Sequence, residues 1–207
     1  MLKTERASVM NFENAMRGAR NPMNSWDRLD SRTEPDGTFV FGPNDLNLAK
    51  RLRKAGSDHR KFLRQVFVSV DITAPLYWWK EFDTYKVGTV ANSTSTMHKI
   101  ASAPITMDNF SHDHLTPDAE KVMEAYVTEI EKIRLRYLTD GKNKDDWYDL
   151  IEMIPESWEQ MRTVTLNYEN LIGIYNSRKD HKLTEWHQFC DFIRHLPYAE
   201  ELIISEE

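Results

Sequence analysis

The sequence predicts a mixed α+β fold in which helices dominate and a small sheet is flanked by several of them. Two short segments, VFVSVDIT at 66–73 and TVTLN at 163–167, are rich in β-branched residues that roughly alternate with polar ones, as in strands. Most other apolar residues recur at helical spacing. The 207 residues are 40% hydrophobic and 11% aromatic, which suffices for one sizeable core. We therefore predict one domain over residues 1–207.

The first part of the chain, residues 1–43, is predicted to be largely irregular. It contains Asn-Pro at 21–22, Glu-Pro-Asp-Gly at 34–37 and Gly-Pro at 42–43, which are typical of turns. We expect at most one short helix here, around Asn11–Arg20, and a possible short strand at Phe39–Phe41.

Helices account for most of the remainder. Pro75 is expected in the first turn of a helix with the sequence LYWWKEFDTYK. The longest helix is predicted from Pro117 to Leu138, with apolar residues every three or four positions and Gly141 after its end. Further helices are predicted at Leu46–Ala55 behind an N-cap at Asp45, from Asp58 to Gln65, and at Trp147–Ile154, Tyr168–Asn176 and Leu183–Arg194.

The charge is unevenly spread along the chain. Residues 1–64 hold 13 Lys and Arg against 8 Asp and Glu, whereas the remainder holds 14 against 25. The basic first third could bind phosphate groups or pair with the acidic remainder, and the simpler interpretation is that these charges lie on solvated helix faces.

Composition excludes several classes of protein. No apolar run reaches the roughly 20 residues that span a bilayer, and the N-terminal residues lack the apolar stretch of a signal peptide. A single cysteine, Cys190, excludes an intramolecular disulfide and is expected in the core. A cytoplasmic location is therefore predicted.

General motifs name no chemistry. The phosphate-binding glycine loops, the zinc-protease pattern and the nucleophile elbow are all absent from the sequence. His112 and His114 are interpreted as capping or solvated residues, so no metal site is predicted. The aromatic run Tyr77-Trp78-Trp79 suits base stacking, but a role in the core or in a subunit interface is favoured.

Four stretches taken in order resemble the flavin-dependent thymidylate synthases, over about residues 45–195. They are LRKAGSDHRKFLRQVFVSV (52–70), APLYWWKEFDTYKVGTVANSTSTMHKI (74–100), IPESWEQMRTVTLN (154–167) and NYENLIGIYNSRKDHKLTEW (167–186). His59 stands sixteen residues before Pro75, at the place of the family's flavin-contacting His. Asn167 follows Pro155 by twelve residues, as in the family, and Arg178 lies at the position of a late nucleotide-gripping Arg.

The family's Arg-rich motif is eroded in this chain. Thr84-Tyr85-Lys86 replaces Arg-His-Arg, Thr89 falls at the first Ser, and Ser95-Thr96-Met97-His98 stands for Ser-x-Arg-Tyr. Met97 and Ile151 occupy places where phosphate-binding arginines are expected. Glu81 stands for a Gln next to the base, and Glu169 for an Arg near the flavin.

The resemblance implies a set of site residues. Ser95 and Arg178 are implied as catalytic, and Glu81, Ser93, Ser95 and Arg178 as nucleotide-binding. The cofactor-binding residues implied are His59, Lys61, Thr84, Tyr85, Lys86, Asn92, Asn167, Glu169 and Gly173.

The resemblance also implies an activity: transfer of a one-carbon unit from methylenetetrahydrofolate to a pyrimidine deoxynucleotide, with FAD supplying hydride, in a homotetramer without direct nucleic-acid binding. The lost arginines leave two alternatives open. One is a non-catalytic descendant that binds a nucleotide or related phosphate-bearing ligand, and the other is a structural or partner-binding protein.

Overall fold

A computed structural model describes residues 1–204, and this part of the chain forms six strands and eight α-helices. The strands are β1 (Lys3–Met10), β2 (Arg32–Thr33), β3 (Phe39–Val40), β4 (Phe67–Pro75), β5 (Val90–Ser93) and β6 (Glu159–Asn167). The helices are α1 (Phe12–Ala19), α2 (Pro43–Lys54), α3 (Leu76–Phe82), α4 (Thr96–Lys99), α5 (Pro117–Thr139), α6 (Lys144–Glu152), α7 (Tyr168–Arg178) and α8 (Thr184–Arg194). Short 3-10 helices occur at Asn21–Met23, Trp26–Arg28, Arg60–Gln65 and Met107–Asn109, and a π-helix at Glu200–Ile204.

The predicted mixed α+β class is confirmed. Four strands form a sheet in the order β1-β4-β6-β5, and β2 and β3 form a separate antiparallel pair in which Arg32 faces Val40. The predicted strands at 66–73 and 163–167 correspond to β4 and β6, and the predicted longest helix corresponds to α5. No helix within residues 1–204 is long and apolar enough to cross a membrane.

The chain divides into two compact units. Unit 1 comprises residues 1–3, 72–84 and 92–162, and unit 2 comprises residues 4–71, 85–91 and 163–207. The prediction of a single domain over residues 1–207, with a synthase-like region at 45–195, stays a prediction.

Unit 1 contains α3 to α6 and two apolar clusters. One is aromatic: Trp78 and Trp79 are fully buried, and Trp78 stacks on Phe82 at a centroid distance of 5.1 Å. A core position is therefore confirmed for Trp78 and Trp79, whereas Tyr77 is half-buried. The other cluster packs α5 against α6 and the preceding loops, through Ile100, Ile105, Phe110, Ile130 and Leu150.

Unit 2 contains α1, α2, α7 and α8. One of its clusters is again aromatic, with Phe12 at its centre and Phe39, Phe41, Tyr168 and Tyr198 around it at centroid distances of 5.1–5.9 Å. Cys190 is buried in this unit, as predicted, and burial raises the pKa of its thiol to about 11.

The N-terminal segment is more regular than the sequence indicates. Residues 3–10, predicted to be irregular, form β1. β1 is an edge strand, first in the sheet order, and most of its side chains are exposed. Its sequence, KTERASVM, therefore lacks the apolar alternation by which a half-buried strand is predicted.

Asp45 is not the N-cap that the sequence predicts. The helix begins two residues earlier, at Pro43, behind Gly42, and the carboxylate of Asp30 accepts hydrogen bonds from the N–H groups of Asn44 and Asp45 at 2.8 and 3.0 Å. Gly42 is required here because a Cβ would lie 2.2 Å from the Asp30 side chain. The first turn is therefore capped from a distant segment that local spacing does not reveal.

The helix predicted after Pro75 is shorter than expected. It ends at Phe82 rather than extending to Lys86, and Pro75 is its N-cap. Both the backbone N–H and the hydroxyl of Thr84 donate to the Glu81 carbonyl, at 3.2 and 2.7 Å. Because residue 84 takes the carbonyl three positions earlier, the helix closes in a tight turn.

Candidate nucleotide site

Arg178 lies in the last turn of α7, in unit 2, against two aromatic side chains. Its Nε donates to the hydroxyl of Tyr85 at 2.8 Å. Its guanidinium carbon also lies 4.5 Å from the centroid of the Trp186 ring and 5.6 Å from that of Tyr85. The side chain is half-buried, and the rings fix its plane by cation–π contact.

Residues 85–91, which include Tyr85, are held against the start of α7. Asn170 donates from Nδ2 to the Val87 carbonyl at 2.7 Å. At Gly88, with φ +74°, a Cβ would come within 3.0 Å of the Asn167 amide. Only glycine tolerates both the positive φ and the close approach without strain. The segment 85–91 can therefore pack against the start of α7, which places Tyr85 beside Arg178.

Asn167 is the N-cap of α7. Its side chain accepts from the Asn170 N–H at 3.0 Å, and Asn170 returns the bond to the Asn167 N–H at 3.1 Å, which makes a capping box for α7. Nearby, the buried hydroxyl of Thr89 has no hydrogen-bond partner among the described residues. This is the position that the resemblance aligns with a serine of the family's motif.

Glu169 forms an ion pair with Arg60. The Arg60 Nε lies 3.0 and 3.1 Å from the two carboxylate oxygens, and both side chains are largely buried. The acidic replacement at 169 therefore has its own counter-ion within unit 2. Gly173, on the same helix, is exposed, with nothing near the position of a Cβ.

His59 and Lys61 lie on the wall of a cavity of about 680 Å³ in unit 2. His59 precedes the 3-10 helix Arg60–Gln65, and both side chains are exposed. The same wall includes the apolar residues Leu48, Leu52 and Phe62. Lys61 and Arg64 on this wall place positive charge beside an apolar surface, which suits a ligand with a flat ring system and an anionic part.

The other predicted site residues before Ser95 lie in exposed or half-buried positions. In unit 1, Glu81 and Thr84 close α3, and Asn92 and Ser93 lie at the end of β5 with exposed side chains. In unit 2, Lys86 is exposed beside Tyr85.

Ser95 is the N-cap of α4, in unit 1. Its hydroxyl accepts from the His98 N–H at 3.2 Å and lies 2.6 Å from His98 Nδ1. The Met97 side chain, at the place of a family arginine, is 55% exposed. Neither Ser95 nor Met97 supplies the positive charge of the family's arginine, and the lysine of this short helix is Lys99.

The structure therefore brings some predicted residues together within unit 2. Tyr85 joins Arg178, and Asn167 lies against Gly88. Trp186, which stacks on Arg178, and Arg60 and Asn170 were not predicted as site residues. Arg60 contacts Glu169, Asn170 contacts Val87 and Trp186 contacts Tyr85, and no local pattern indicates these contacts because the partners are distant in sequence. The Asn167–Asn170 capping box, in contrast, is a local pattern that the sequence does carry. In unit 1 the prediction missed Arg162, which stacks on Trp79 at 4.2 Å and donates to Asp83 at 2.8 Å.

Comparison with known proteins leaves the fold as the informative feature. No protein-family model matches the chain, and no curated protein matches its sequence. Solved structures do match. A crystal structure of ThyX, a thymidylate synthase from Helicobacter pylori with FAD and dUMP, superposes with a TM-score of 0.72 over 99% of this chain and 98% of that one, at 16% sequence identity.

The fold is that of the flavin-dependent thymidylate synthases. A second Helicobacter pylori ThyX structure, complexed with FAD and dUMP, gives a TM-score of 0.69 at 16% identity, over 99% of this chain and 97% of that one. A UMP/dUMP methylase, PolB from Streptomyces cacaoi bound with 5-Br dUMP, gives 0.65 at 13% identity, over 99% and 95%. The fold that the resemblance predicts is thus confirmed along almost the whole chain.

Proposed function

We propose that this chain is a divergent flavin-dependent thymidylate synthase-type enzyme that binds a pyrimidine nucleotide and methylates its base. The observation that carries the proposal is the placement of Arg178 on a ThyX fold. It is oriented by Tyr85 and Trp186 at the end of α7, at the position that the motif alignment gives to a nucleotide-binding arginine. Arginine in a fixed plane is well suited to bidentate binding of a phosphate.

Support for a pyrimidine nucleotide comes from the neighbours of this fold. Two of them were solved with dUMP and the third with 5-Br dUMP. Within the proposal, Arg178 of unit 2 binds a phosphate. The family resemblance also assigns nucleotide contacts to Glu81, Ser93 and Ser95 and catalytic roles to Ser95 and Arg178. Because the enzyme contributes mostly orientation and charge, these contacts determine the rate.

The residues of unit 2 fit a flavin in part. His59 and Lys61 beside the apolar wall of the 680 Å³ cavity would hold FAD, together with Tyr85, Lys86, Asn167 and Gly173. The Arg60 guanidinium is already paired with Glu169, so a flavin phosphate gains less charge here than from a free arginine. FAD, when bound, supplies hydride, and methylenetetrahydrofolate is the proposed one-carbon donor.

The oligomer is proposed to be a homotetramer in the cytoplasm, by analogy with the resembled family. A site formed by facing chains could enclose a flavin that one small subunit does not cover. Analytical ultracentrifugation of the purified protein tests this, and a monomer at micromolar concentration would contradict it.

The first experiment measures flavin and nucleotide binding together. The purified wild-type protein should be yellow, or take up FAD at tens of micromolar, and its melting temperature should rise with dUMP. Arg178→Ala should abolish the dUMP-dependent rise, since each charge-assisted hydrogen bond contributes about 1.5–3 kcal/mol.

Arg194→Ala is the matched control. Arg194 also donates from Nε to a tyrosine hydroxyl, that of Tyr175 at 3.1 Å, and lies over its ring, but it is exposed and belongs to no predicted site. An equal loss of the dUMP shift in both variants would show that Arg178 is only a helix-end cation.

A second candidate function is nucleotide binding without catalysis. It is favoured by the loss of arginines at Met97 and Ile151 and by the Glu169–Arg60 pair, each of which lowers the affinity for a polyanionic ligand set. A colourless protein that binds no FAD, yet shows a dUMP shift that Arg178→Ala removes, would select this candidate. No shift with any nucleotide would leave a structural or partner-binding role.

A further inference from the structure

Three arginines, none of them proposed to bind nucleotide or flavin, line one concave surface in unit 2, which shares Leu48 with the wall of the proposed flavin cavity. The cavity has a volume of about 490 Å³, and its lining is Arg20, Arg28, Pro43, Asn44, Asn47, Leu48 and Arg51. The arginines come from three separate segments: the end of α1, the 3-10 helix Trp26–Arg28, and α2. Their convergence is thus a result of the tertiary fold.

One face of α2 forms a wall of this cavity. Asn44, Asn47, Leu48 and Arg51 are spaced by three, four and seven residues, so they lie on the same side of the helix. This side presents two carboxamides and a guanidinium, all of which can donate hydrogen bonds to an anion. The asparagine amides extend the donor set beyond the charged groups.

The cationic charge in the cavity is only partly compensated. Arg20 is buried and paired with Asp45, which lies behind it at 2.6 Å. Arg28 and Arg51 are exposed, and their side chains make no hydrogen bond or ion pair with any residue between 1 and 204. Two guanidinium groups therefore remain available at the cavity surface.

No carboxylate among the described residues lines the cavity to oppose an incoming anion. Asp30 is nearby, but its oxygens accept from the N–H groups of Asn44 and Asp45, so it already occupies the start of α2. The helix N-terminus is thus satisfied, and any anion affinity comes from the side chains.

We propose that this cavity is a second anion site, which binds the phosphates of a small molecule bearing two or more of them. Arg28 and Arg51 contact the phosphate oxygens, Arg20 forms a fixed cationic floor, and Asn44 and Asn47 donate to the remaining oxygens. Two uncompensated charges match a diphosphate better than a single phosphate, and guanidinium groups bind phosphate bidentately.

The test is titration calorimetry of the full-length protein with inorganic pyrophosphate, inorganic phosphate and dUDP, at two salt concentrations. We expect pyrophosphate and dUDP to bind more tightly than phosphate, and both affinities to fall with salt. Equal binding of pyrophosphate and dUDP would assign recognition to the diphosphate group itself, and tighter binding of dUDP would add a contribution from the nucleoside.

The decisive comparison is between two double variants. R28A/R51A should weaken pyrophosphate binding by about tenfold or more, which corresponds to about 1.4 kcal/mol. K50A/K54A removes the same charge from exposed positions of α2 that lie outside the cavity lining, and should leave the affinity for pyrophosphate within about twofold. R28K/R51K keeps the charge but loses the bidentate geometry, so an intermediate loss is expected.

Two results would overturn the proposal: no pyrophosphate binding by the wild-type protein, or equal weakening in R28A/R51A and K50A/K54A. Arg178→Ala should leave pyrophosphate binding unchanged. The two sites are therefore distinguishable, because failure of the dUMP site does not remove this signal and failure of this site does not remove the dUMP shift.

Discussion

The two compact units use charged side chains differently. Unit 2 contains 11 of the 14 arginines, whereas unit 1 contains 16 acidic residues against 10 Lys and Arg. All three arginines of unit 1 are paired with carboxylates: Arg134 with Glu131, Arg136 with Asp146 and Asp149, and Arg162 with Asp83. In unit 2, Arg20, Arg60 and Arg194 are also paired with carboxylates. Arg28 and Arg51 differ, because they line an open cavity and make no side-chain hydrogen bond or ion pair with a residue between 1 and 204.

Under the two proposed binding sites, this difference bears on where a phosphate would bind. An arginine that already holds a carboxylate gains little from a phosphate, since it must first give up its partner. The eroded part of the family's motif, Asn92 to Met97, belongs to unit 1, which has no arginine outside an ion pair among its residues. Phosphate recognition by this chain is accordingly expected in unit 2.

The largest effect on stability is expected at Asp45, the counter-ion of the buried Arg20 in unit 2. Asp45→Asn should lower the free energy of unfolding by about 3–5 kcal/mol, because it leaves the buried Arg20 guanidinium without its counter-charge. Urea denaturation measures the loss. Asp27→Asn, at an exposed position of the same unit, should change stability by less than about 0.5 kcal/mol, and equal losses would contradict the role of Asp45.

In unit 1, the corresponding test is Glu131→Gln. Glu131 accepts two bonds from Arg134, at 2.6 and 2.7 Å, and one from the Ile105 N–H at 2.8 Å. We expect a loss of about 1.5–3 kcal/mol. Glu129→Gln breaks an exposed pair with Lys132 on the same helix and should cost less than about 1 kcal/mol. Equal losses of stability in Glu131→Gln and Glu129→Gln would contradict the expected difference between the buried and the exposed ion pair.

Acid should weaken both units through these carboxylates. Burial alone would raise the pKa of Asp45, but hydrogen bonds from Ser31, Arg20 and the Asp30 N–H lower it below its usual value. The hydrogen bonds from Arg134 lower the pKa of Glu131 as well. Because the unfolded state then binds more protons, this stability is complete above the ordinary carboxyl pKa of about 4 and is lost as the pH falls through the folded pKa.

The measurement is the urea midpoint as a function of pH, from neutral to acid. The midpoint should decline more steeply below about pH 4 in the wild-type protein than in Asp45→Asn, which has lost one of the linked groups. Parallel curves for the two proteins would show that Asp45 contributes nothing to the acid response.

The smallest effect is expected at Cys190, whose thiol is buried in α8 and has its pKa raised to about 11. A thiol reagent at pH 8 should leave the native protein unmodified for as long as it stays folded and react at once in denaturant, since the thiolate is the reactive form. Rapid modification of the native protein would mean that the α8 part of unit 2 opens readily.

The fold was predictable because most of its long helices and strands show the apolar spacing typical of their type over a few residues. β4, β6, α5, α7 and α8 each carry the apolar spacing of their type, and their order with Pro75, Pro155 and Asn167 was enough to indicate the resemblance. β1 escaped prediction because its side chains are exposed. The site was predictable only in outline, through positions such as Arg178.

What each site residue contacts was decided by tertiary structure. Arg178 meets Tyr85 across 93 residues, and Arg60 meets Glu169 across 109. The local sequence predicts Asp45 as a helix N-cap, but in the structure it is the buried counter-ion of Arg20. Local sequence determines backbone hydrogen bonding, which extends over a few residues, whereas the partner of a charged side chain depends on which segments pack together. The sequence alone thus determined the fold, and packing determined which arginines remain for a ligand.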